Sequence, residues 1–550
     1  MSWRIAEGLA LVAGLALLAR PAWVRFRQVL HLFQLDSYHP VRLLRLLGRR
    51  PGLVIVPEVA GGAVALALAS VAELAGYQVL GDLVWLSLSA IFALRMRYST
   101  EKKPLVFTGR AVRLVSLGLA LGVGASLLAT VAGGVDPLER VRRFALCWAL
   151  LVLAAPLWLL FANGLLAPYE WVLSRYFVSR ARAKLRQVDP LVIGITGSYG
   201  KTSTKQFLEI LLARRFSVLA TPKSYNTLLG VSRTINDSLR FRHEIFLVEM
   251  GAYGVDEIRT TARLVRPRVG VVVTVGLQHL ERFGSREAIE QAKGELVEEL
   301  QPDGVAILNR EEDSGPRLAA RSTAEKVLWF GRIEVAGKAG DVGLAHGVDL
   351  GARAVEQTSQ GIRFELVNRE GQVAEVQTRL LGLHNVTNLL AAATVGLYLG
   401  MSLEELAAGL RQVKPAPHRL QLRRGVGGCT VIDNTYSSNP VSAHSSLEVL
   451  AALEARWRIL VTPGLVELGS AIEPENRRFG SAAARVCDHI VLVGMEVARM
   501  VRAGIEDAGF DQGRVHRVGR VAEVGPLLEC LGVGGRDVVL FENDLPDLYR

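Results

Sequence analysis

Two hydrophobicity patterns divide the chain. Long apolar stretches dominate residues 1–168, whereas shorter apolar runs of strand and helix length alternate from residue 190 onward. A helix needs about 20 predominantly apolar residues to cross a bilayer, and five stretches approach that length. We therefore predict a transmembrane region of about five helices, over residues 4–19, 53–75, 79–94, 114–132 and 144–167.

Basic residues predict the orientation of these helices. Lys and Arg concentrate in the loops 20–50 and 95–113, whereas the link 76–82 has neither. Because loops rich in Lys and Arg stay in the cytoplasm, we expect a multi-pass protein of the plasma membrane. A basic linker over 169–189 would then lead into cytoplasmic catalytic domains. Within the first loop, residues 28–50 fit either an amphipathic interfacial helix or a plain connector.

The rest of the chain has the pattern of an α/β protein. Alternating strands and helices over 190–414 indicate an open, mostly parallel sheet, and the β-rich stretch 328–380 predicts an antiparallel subsheet. Residues 415–550 predict a second, Rossmann-like α/β domain. The expected fold is thus multi-domain, with an α-helical transmembrane region, an α/β P-loop domain and a C-terminal α/β domain. Strands of the last domain are predicted near 430–433, 458–462, 489–493 and 537–541.

Charge and composition support this division. Only eight of the 53 Asp and Glu residues lie in residues 1–168, and the net charge is +11. A basic chain suits nucleic acid, an anionic membrane surface or an acidic substrate. Arg residues beside apolar runs favour membrane lipids as partners, with no nucleic acid. The four cysteines form no CxxC or Cys-His cluster, which disfavours a disulfide framework or a zinc site.

A glycine-rich turn indicates a nucleotide site. The β-branched run 192–195 predicts a strand, and residues 207–212 predict a helix after the turn. A strand, a Gly loop and a helix start bind phosphate through backbone N–H groups and the helix dipole. Ile195 stands at the first Gly position of the strict P-loop pattern, so the pattern is incomplete and a structural turn is the alternative. The predicted ATP-binding residues here are Gly197, Ser198, Gly200, Lys201, Thr202 and Ser203.

Three further side chains follow in order along the chain. Glu249 ends a predicted strand, where a carboxylate can hold Mg²⁺ directly or through water. His279 comes after the predicted strand 271–275, and Lys293 lies on a predicted helix. Taken alone, His279 fits a structural role and Lys293 fits a solvated helix face.

In this order the residues resemble the Mur ligase family of ATP-dependent amide ligases in peptidoglycan precursor synthesis. The sequence is most like the member that adds D-alanyl-D-alanine, and the resemblance covers roughly residues 190–545. The matching stretches are GITGSYGKTSTK (194–205), LVEMGAYGVDEI (247–258), QHLERFGSREAIEQAKGEL (278–296), GLHNVTNLLAAATVGLYLG (382–400), HRL (418–420), VIDNTYSSNP (431–440) and VELG (466–469).

The resemblance implies a reaction and the residues that perform it. A muropeptide-type carboxylate attacks the γ-phosphate of ATP, and the amine of an amino acid or dipeptide then displaces phosphate from the acyl phosphate. The implied catalytic residues are Lys201, Lys293, His279 and Arg419. Two Mg²⁺ ions would be held by Thr202, Glu249, His279 and Lys293, the last as a carbamate. Further nucleotide contacts would come from Asn226, Asn385, Arg419 and Asp433.

Three departures from the family pattern bear on the substrates. The transmembrane region stands in the place of the family's UDP-binding domain, Asp433-Asn434 replaces a pair of acids, and residues 541–547 replace a Lys-Gly-Ser stretch. These departures leave the identity of the amine substrate open. They also leave open whether the acceptor is UDP-linked or lipid-linked. Two other interpretations stay possible, namely a related ligase for a poly-γ-glutamate or folate-type acceptor and a membrane ATPase without ligase activity.

Overall fold

The structure is a computed structural model that describes residues 22–35, 38–49, 104–131, 152, 154–223, 225–333, 347–358, 360–436, 438–495 and 497–544. The described residues before Arg175 belong to one compact unit, and Arg175–Leu545 forms another. The helices that begin in the first unit span 22–35, Pro40–Arg49, Gly109–Val131 and Ala155–Val188.

Apolar side chains form the core of the first unit, with Phe33, Leu114 and Leu159 fully buried. One helix of the described chain, over Gly109–Leu128, is long and apolar enough to cross a bilayer by length and composition. It coincides with most of the predicted span 114–132. The predicted spans 4–19, 53–75 and 79–94 lie outside the described residues, and 144–167 is described only in its second half.

Helix is present both in residues 28–50, where a helix was one of two interpretations, and in the predicted basic linker. The loop 28–50 includes the helix Pro40–Arg49, whose Leu43 and Leu47 are buried. The predicted linker 169–189 is helical as far as Val188.

The second unit contains a large sheet built from the predicted P-loop domain. Its strand order is β2-β3-β1-β4-β5-β6-β7-β8-β9 among the described residues. The strands are β1 Leu191–Thr196, β2 Val218–Ala220, β3 Ile245–Glu249, β4 Val269–Val272, β5 Val305–Asn309, β6 Lys326–Arg332, β7 Leu350–Thr358, β8 Gly361–Asn368 and β9 Val373–Thr378. The helices are Lys201–Leu212, Leu228–Ser238, Glu257–Val265, Leu280–Phe283, Arg286–Glu298, Gly315–Ala320, His384–Tyr398 and Leu403–Leu410.

The β-rich stretch 328–380 extends this sheet, and the predicted antiparallel subsheet is present only in its later strands. β6 pairs in parallel with both β5 and β7, and only β7–β8 and β8–β9 are antiparallel. Tight turns explain the change of direction, because a short hairpin joins only antiparallel strands. Gly361 (φ 141°) and Gly371 (φ 80°) lie at these two turns.

A six-stranded sheet forms from the predicted C-terminal domain, with the order β10-β11-β15-β12-β13-β14 in the described chain. The four predicted strands are present, and two short edge strands were not predicted. The strands are β10 Gln421–Arg424, β11 Thr430–Asn434, β12 Arg458–Thr462, β13 His489–Val493, β14 Val515–Val518 and β15 Val538–Glu542. The helices are Pro440–Ala452, Ile472–Val486, Ala498–Asp507 and Val524–Cys530.

The parallel arrangement explains where the site lies. β3, β1 and β4 are neighbours in the first sheet, and every residue of β3 and β4 is buried. Because the carboxyl ends of parallel strands meet at one edge, the segments that follow these strands converge. The phosphate loop follows β1, Glu249 ends β3, and the segment to His279 follows β4.

Candidate functional site

The phosphate loop is fixed to the segment after β4. The Ser198 backbone N–H donates to the Thr274 carbonyl at 2.7 Å, and the Ser198 hydroxyl contacts the Gly276 carbonyl at 2.9 Å. Gly200 has φ 81°, and a Cβ there would lie 2.1 Å from Oδ1 of Asn388. Glycine is therefore required at position 200 by both its conformation and its neighbour.

Lys201 begins the helix after the loop and bends back over it. Its Nζ donates to the Gly197 carbonyl at 2.5 Å and to the Ser198 carbonyl at 3.0 Å. Burial lowers the pKa of Lys201 to about 8, with a further lowering by Arg419 and an opposing effect of Glu249. The Lys201 amine is thus positioned to contact a phosphate group that the loop binds.

Glu249 is the most heavily hydrogen-bonded carboxylate of the loop region. It is 1% exposed, and its Oε1 accepts from the Thr202 hydroxyl at 3.1 Å and from Asn226 Nδ2 at 3.2 Å. Its Oε2 forms an ion pair with Lys205 at 2.9 Å. The predicted residues Thr202, Asn226 and Glu249 are therefore brought together.

Lys205 is a site residue that the sequence analysis did not assign. Its side chain is 3% exposed, and besides the ion pair with Glu249 it donates to the Lys223 carbonyl at 2.6 Å. The available signal was its spacing, because residues four apart lie on one face of a helix. Lys205 follows Lys201 by one such step and therefore faces the same cluster.

His279 lies at the turn before the short helix Leu280–Phe283, with φ 58°. Its Nδ1 is hydrogen-bonded to Oε2 of Glu467, a residue that follows β12 of the second sheet. Its ring packs edge-on against Tyr253, with centroids 4.8 Å apart. Burial lowers the pKa of His279, and the hydrogen bond that its ring donates to Glu467 opposes this effect. An imidazole that donates from Nδ1 keeps a lone pair on Nε2.

Lys293 is buried on the helix Arg286–Glu298. Among the described residues it has no hydrogen-bond or ion-pair partner, and its Nζ lies 5.7 Å from the centroid of the Phe283 ring. Burial lowers the pKa of Lys293 well below the ordinary value, and the charge of Lys201 lowers it further. The solvated helix face considered for Lys293 is therefore wrong, and the amine is favoured in its neutral form.

The predicted metal ligands fit Mg²⁺ in part. The Thr202 hydroxyl and the Glu249 carboxylate supply the hard oxygen donors that Mg²⁺ prefers, and they already touch. Within the described ranges, no group of three or more His, Cys, Asp or Glu side chains is assembled for a metal. Lys293 offers no oxygen as an amine, so a second anionic ligand there requires a modified side chain.

A cleft lies beside the phosphate loop. Its walls come from the P-loop domain and from the C-terminal domain of the second unit. They include Gly200, Ser203, Asn385, Asn388, Arg419 and Asn434. This cleft joins four predicted nucleotide contacts in one place and is the candidate nucleotide pocket.

Arg419 brings a second cation from the C-terminal side of the cleft. Its guanidinium lies 4.7 Å from the centroid of the Tyr436 ring, and burial lowers its pKa. On the opposite wall, Asn385 Nδ2 donates to the Leu381 carbonyl at 2.8 Å, and Asn385 Oδ1 accepts from Asn388 at 3.1 Å. These bonds fix the two amides at the start of the helix His384–Tyr398.

Asp433 lies outside the lining of the cleft. Its Oδ2 contacts Nδ1 of His418 at 2.9 Å, and its Oδ1 accepts from the Thr435 hydroxyl at 2.7 Å. Burial tends to raise the pKa of Asp433, but the hydrogen bonds from Thr435 and His418 outweigh it and the pKa is lowered. The next residue, Asn434, lines the cleft instead and donates to Glu542 at 2.8 Å.

Comparison with known proteins identifies the family. A family profile described as the Mur ligase middle domain matches residues 195–396, and one described as the Mur ligase, glutamate ligase domain matches residues 418–541. The UDP-N-acetylmuramoyl-tripeptide–D-alanyl-D-alanine ligase of Bacillus subtilis is 30% identical over 367 residues, covering 66% of this chain and 75% of the relative. The chain belongs to the Mur ligase family. The family prediction from the sequence is thereby confirmed.

Two further Mur ligases define the extent of the similarity. The enzyme of the same name from Mycobacterium tuberculosis is 36% identical over 312 residues, covering 55% of this chain and 58% of the relative. The match thus spans somewhat over half the length of such relatives. The crystal structure of MurF from Acinetobacter baumannii has a TM-score of 0.59 and 28% identity, covering 68% of this chain and 78% of that chain.

Proposed function

We propose that this chain is an ATP-dependent amide ligase of cell-wall precursor synthesis that joins D-alanyl-D-alanine to a muropeptide carboxylate. The cluster of Lys201, Thr202 and Glu249, beside a cleft that Arg419 completes, carries the proposal. The names of the relatives supply the amine and the acceptor class. In the reaction, a carboxylate oxygen attacks the γ-phosphate and ADP leaves. The amine then attacks the acyl carbon, phosphate leaves, and the amine loses a proton.

The protein contributes positioning and charge neutralisation to this reaction. Lys201 and the loop amides hold the β- and γ-phosphates, and Arg419 approaches the same phosphates from the C-terminal domain. Thr202 and Glu249 would hold one Mg²⁺, and His279 would hold a second with Glu249. Bound Mg²⁺ neutralises charge on the phosphate oxygens.

Lys293 would complete the second ion's ligands as a carbamate. Burial shifts the amine of Lys293 toward its neutral form, which is nucleophilic, so its nitrogen can form a bond to the carbon of CO₂ and release one proton. The product is an anion with two oxygen donors. Carbon-13 NMR of the full chain with labelled bicarbonate should show a carbamate signal that Lys293→Ala lacks. Equal spectra, or amide formation that Lys293→Ala leaves unchanged, would contradict this role.

An assay with the purified full chain tests the ligase proposal. ATP, D-alanyl-D-alanine and a muropeptide acceptor should yield ADP, phosphate and one amide product in equal amounts. ADP release that does not require an amine would favour a membrane ATPase. Turnover of an L-glutamate amine on a poly-γ-glutamate or folate-type acceptor would favour the related ligase.

We propose further that the enzyme acts at the plasma membrane on a lipid-linked acceptor, with its catalytic domains in the cytoplasm. The apolar stretches before residue 169, including Gly109–Leu128, support an anchor of this kind. The test compares UDP-linked and polyprenyl-linked muropeptides at equal concentration. Turnover of the UDP-linked form alone would exclude the lipid-linked acceptor and leave the ligase proposal intact.

A further inference from the structure

Two residues with left-handed backbone conformations, one from each domain of the second unit, are in contact. His279 has φ 58° and Glu467 has φ 63°, and the hydrogen bond between Nδ1 and Oε2 joins them. Non-glycine residues adopt this conformation rarely, and where they do, it often marks a functional site. The two residues come from different domains, because His279 follows β4 and Glu467 follows β12.

The backbones of these segments are also in contact. The Glu281 N–H donates to the Glu467 carbonyl at 3.4 Å. Gly469 has φ 54°, and a Cβ there would lie 3.2 Å from the Glu281 backbone. The segment 466–469 therefore fits closely against the turn that carries His279.

An edge-on aromatic contact also restrains the imidazole of His279. Tyr253 packs edge-on against it, and the Arg282 guanidinium covers the Tyr253 ring at 4.4 Å. With Nδ1 bonded to Glu467 and the ring restrained by Tyr253, the orientation of Nε2 is fixed. A metal-ligating histidine typically donates its other N–H to a carboxylate in this way, which sets its tautomer.

We propose that Glu467 is a positioning residue that orients His279 as a metal ligand. Its carboxylate accepts the Nδ1 proton and thereby presents Nε2 to the cation. This inference rests on the proposed role of His279 in binding the second Mg²⁺. Because Glu467 belongs to the C-terminal domain, the ligand is oriented only while that domain is seated on the P-loop domain. The contact would therefore couple domain seating to assembly of the metal site.

Mn²⁺ binding tests the proposal without relying on turnover. Mn²⁺ is titrated into the full chain in detergent at saturating ADP, and free Mn²⁺ is measured by electron paramagnetic resonance. His279→Ala identifies the ion that depends on His279. Glu467→Ala should lower the affinity for that ion about 10- to 100-fold. Glu467→Gln should lower the affinity less, because the amide oxygen still accepts the Nδ1 proton. The control is Glu473→Ala, whose carboxylate is 66% exposed in the same domain, and it should bind as the unchanged protein does.

The outcomes distinguish the positioning role of Glu467 from the metal-binding role of His279. Weaker binding in His279→Ala with unchanged binding in Glu467→Ala would overturn the positioning role alone. Unchanged binding in His279→Ala would overturn the metal role of His279 and the positioning role with it. Circular dichroism checks the fold of each variant. If Glu467→Ala does not fold, Glu467→Met decides, because it keeps the length of the side chain but accepts no proton, and an affinity equal to that of the unchanged protein then contradicts the proposal.

Discussion

At the scale of single residues, charge balance beneath the phosphate loop depends on Glu249. Its two oxygens accept hydrogen bonds from Thr202, Asn226 and Lys205, and almost none of it is exposed. Removing one partner of a buried ion pair leaves an uncompensated charge in a poorly solvated place. Lys205 is therefore expected to be necessary for a stable fold, whereas Lys201 is expected to be necessary for nucleotide binding.

Lys205→Met should destabilise the P-loop domain by about 3–5 kcal/mol. The substitution keeps the length of the side chain and leaves Glu249 buried without its cation. Urea unfolding followed by circular dichroism measures the effect. The matched control is Arg233→Met, which breaks an ion pair with Asp237 whose partners are 67% and 64% exposed, and it should change stability by about 0.5 kcal/mol or less. Equal shifts in both variants would contradict the expectation.

The burial of His384 leads us to expect that the protein loses stability in mild acid. Burial lowers its pKa from 6.5 to about 4, with a smaller effect of Arg419. The unfolded chain binds more protons between these two values, so the free energy of unfolding falls as the pH falls through this window. The contribution of this residue amounts to about 3 kcal/mol.

The prediction for His384 is checked by comparing urea unfolding at pH 7 and pH 5. His384→Gln should show a smaller drop in the free energy of unfolding over this interval, because the glutamine side chain takes up no proton. A drop as large as that of the unchanged protein would show that other groups cause it.

At the scale of elements, the phosphate loop sets the geometry of the cleft. Gly200→Ala should reduce ATP affinity more than tenfold, because the new Cβ would lie 2.1 Å from Asn388 Oδ1 and the loop must move. Isothermal titration calorimetry with a non-hydrolysable ATP analogue measures this. Gly509→Ala is the control, since its φ is 70° but no atom lies within 4 Å of the added carbon. Its ATP affinity should be unchanged, and similar losses in both variants would refute the steric explanation.

The elements that the sequence predicted correctly are those with a continuous apolar signal. β1 and β3 consist mainly of buried apolar residues, which is typical of strands covered on both faces. β10 was missed because it is a four-residue edge strand, Gln421–Arg424, whose last three residues are exposed. The direction of β6 was not predicted either, because nothing in the local pattern of 328–380 indicates the parallel pairing of β6 with β5 and β7.

At the scale of the whole molecule, the residue types of the site were predictable but their contacts were not. The order of Lys201, Glu249, His279 and Lys293 was sufficient to identify the family. The hydrogen bond from His279 to Glu467 joins residues 188 positions apart, and no local pattern encodes such a distance. The sequence also could not show that Asn434 lines the cleft in place of the predicted Asp433, because the register of β11 decides which side chain faces inward.

The predicted transmembrane region gives a prediction for the full chain. It should remain in the membrane pellet after an alkaline carbonate wash and enter solution only with detergent, because apolar helices partition into the bilayer core. Sedimentation followed by immunoblotting measures this, with a cytosolic enzyme of the same cells as control. Recovery in the carbonate supernatant would contradict a multi-pass anchor.

The position of β15 has a consequence for biosynthesis. This strand, Val538–Glu542, is the last of its sheet in sequence, yet it lies between β11 and β12. During translation, β11 and β12 therefore emerge from the ribosome without the partner that joins them, and their edges stay open to chaperones or to aggregation. A premature stop codon before residue 538 would leave the sheet in two halves. Such a product should be degraded rapidly, although it would still contain Lys201, Glu249, His279 and Lys293.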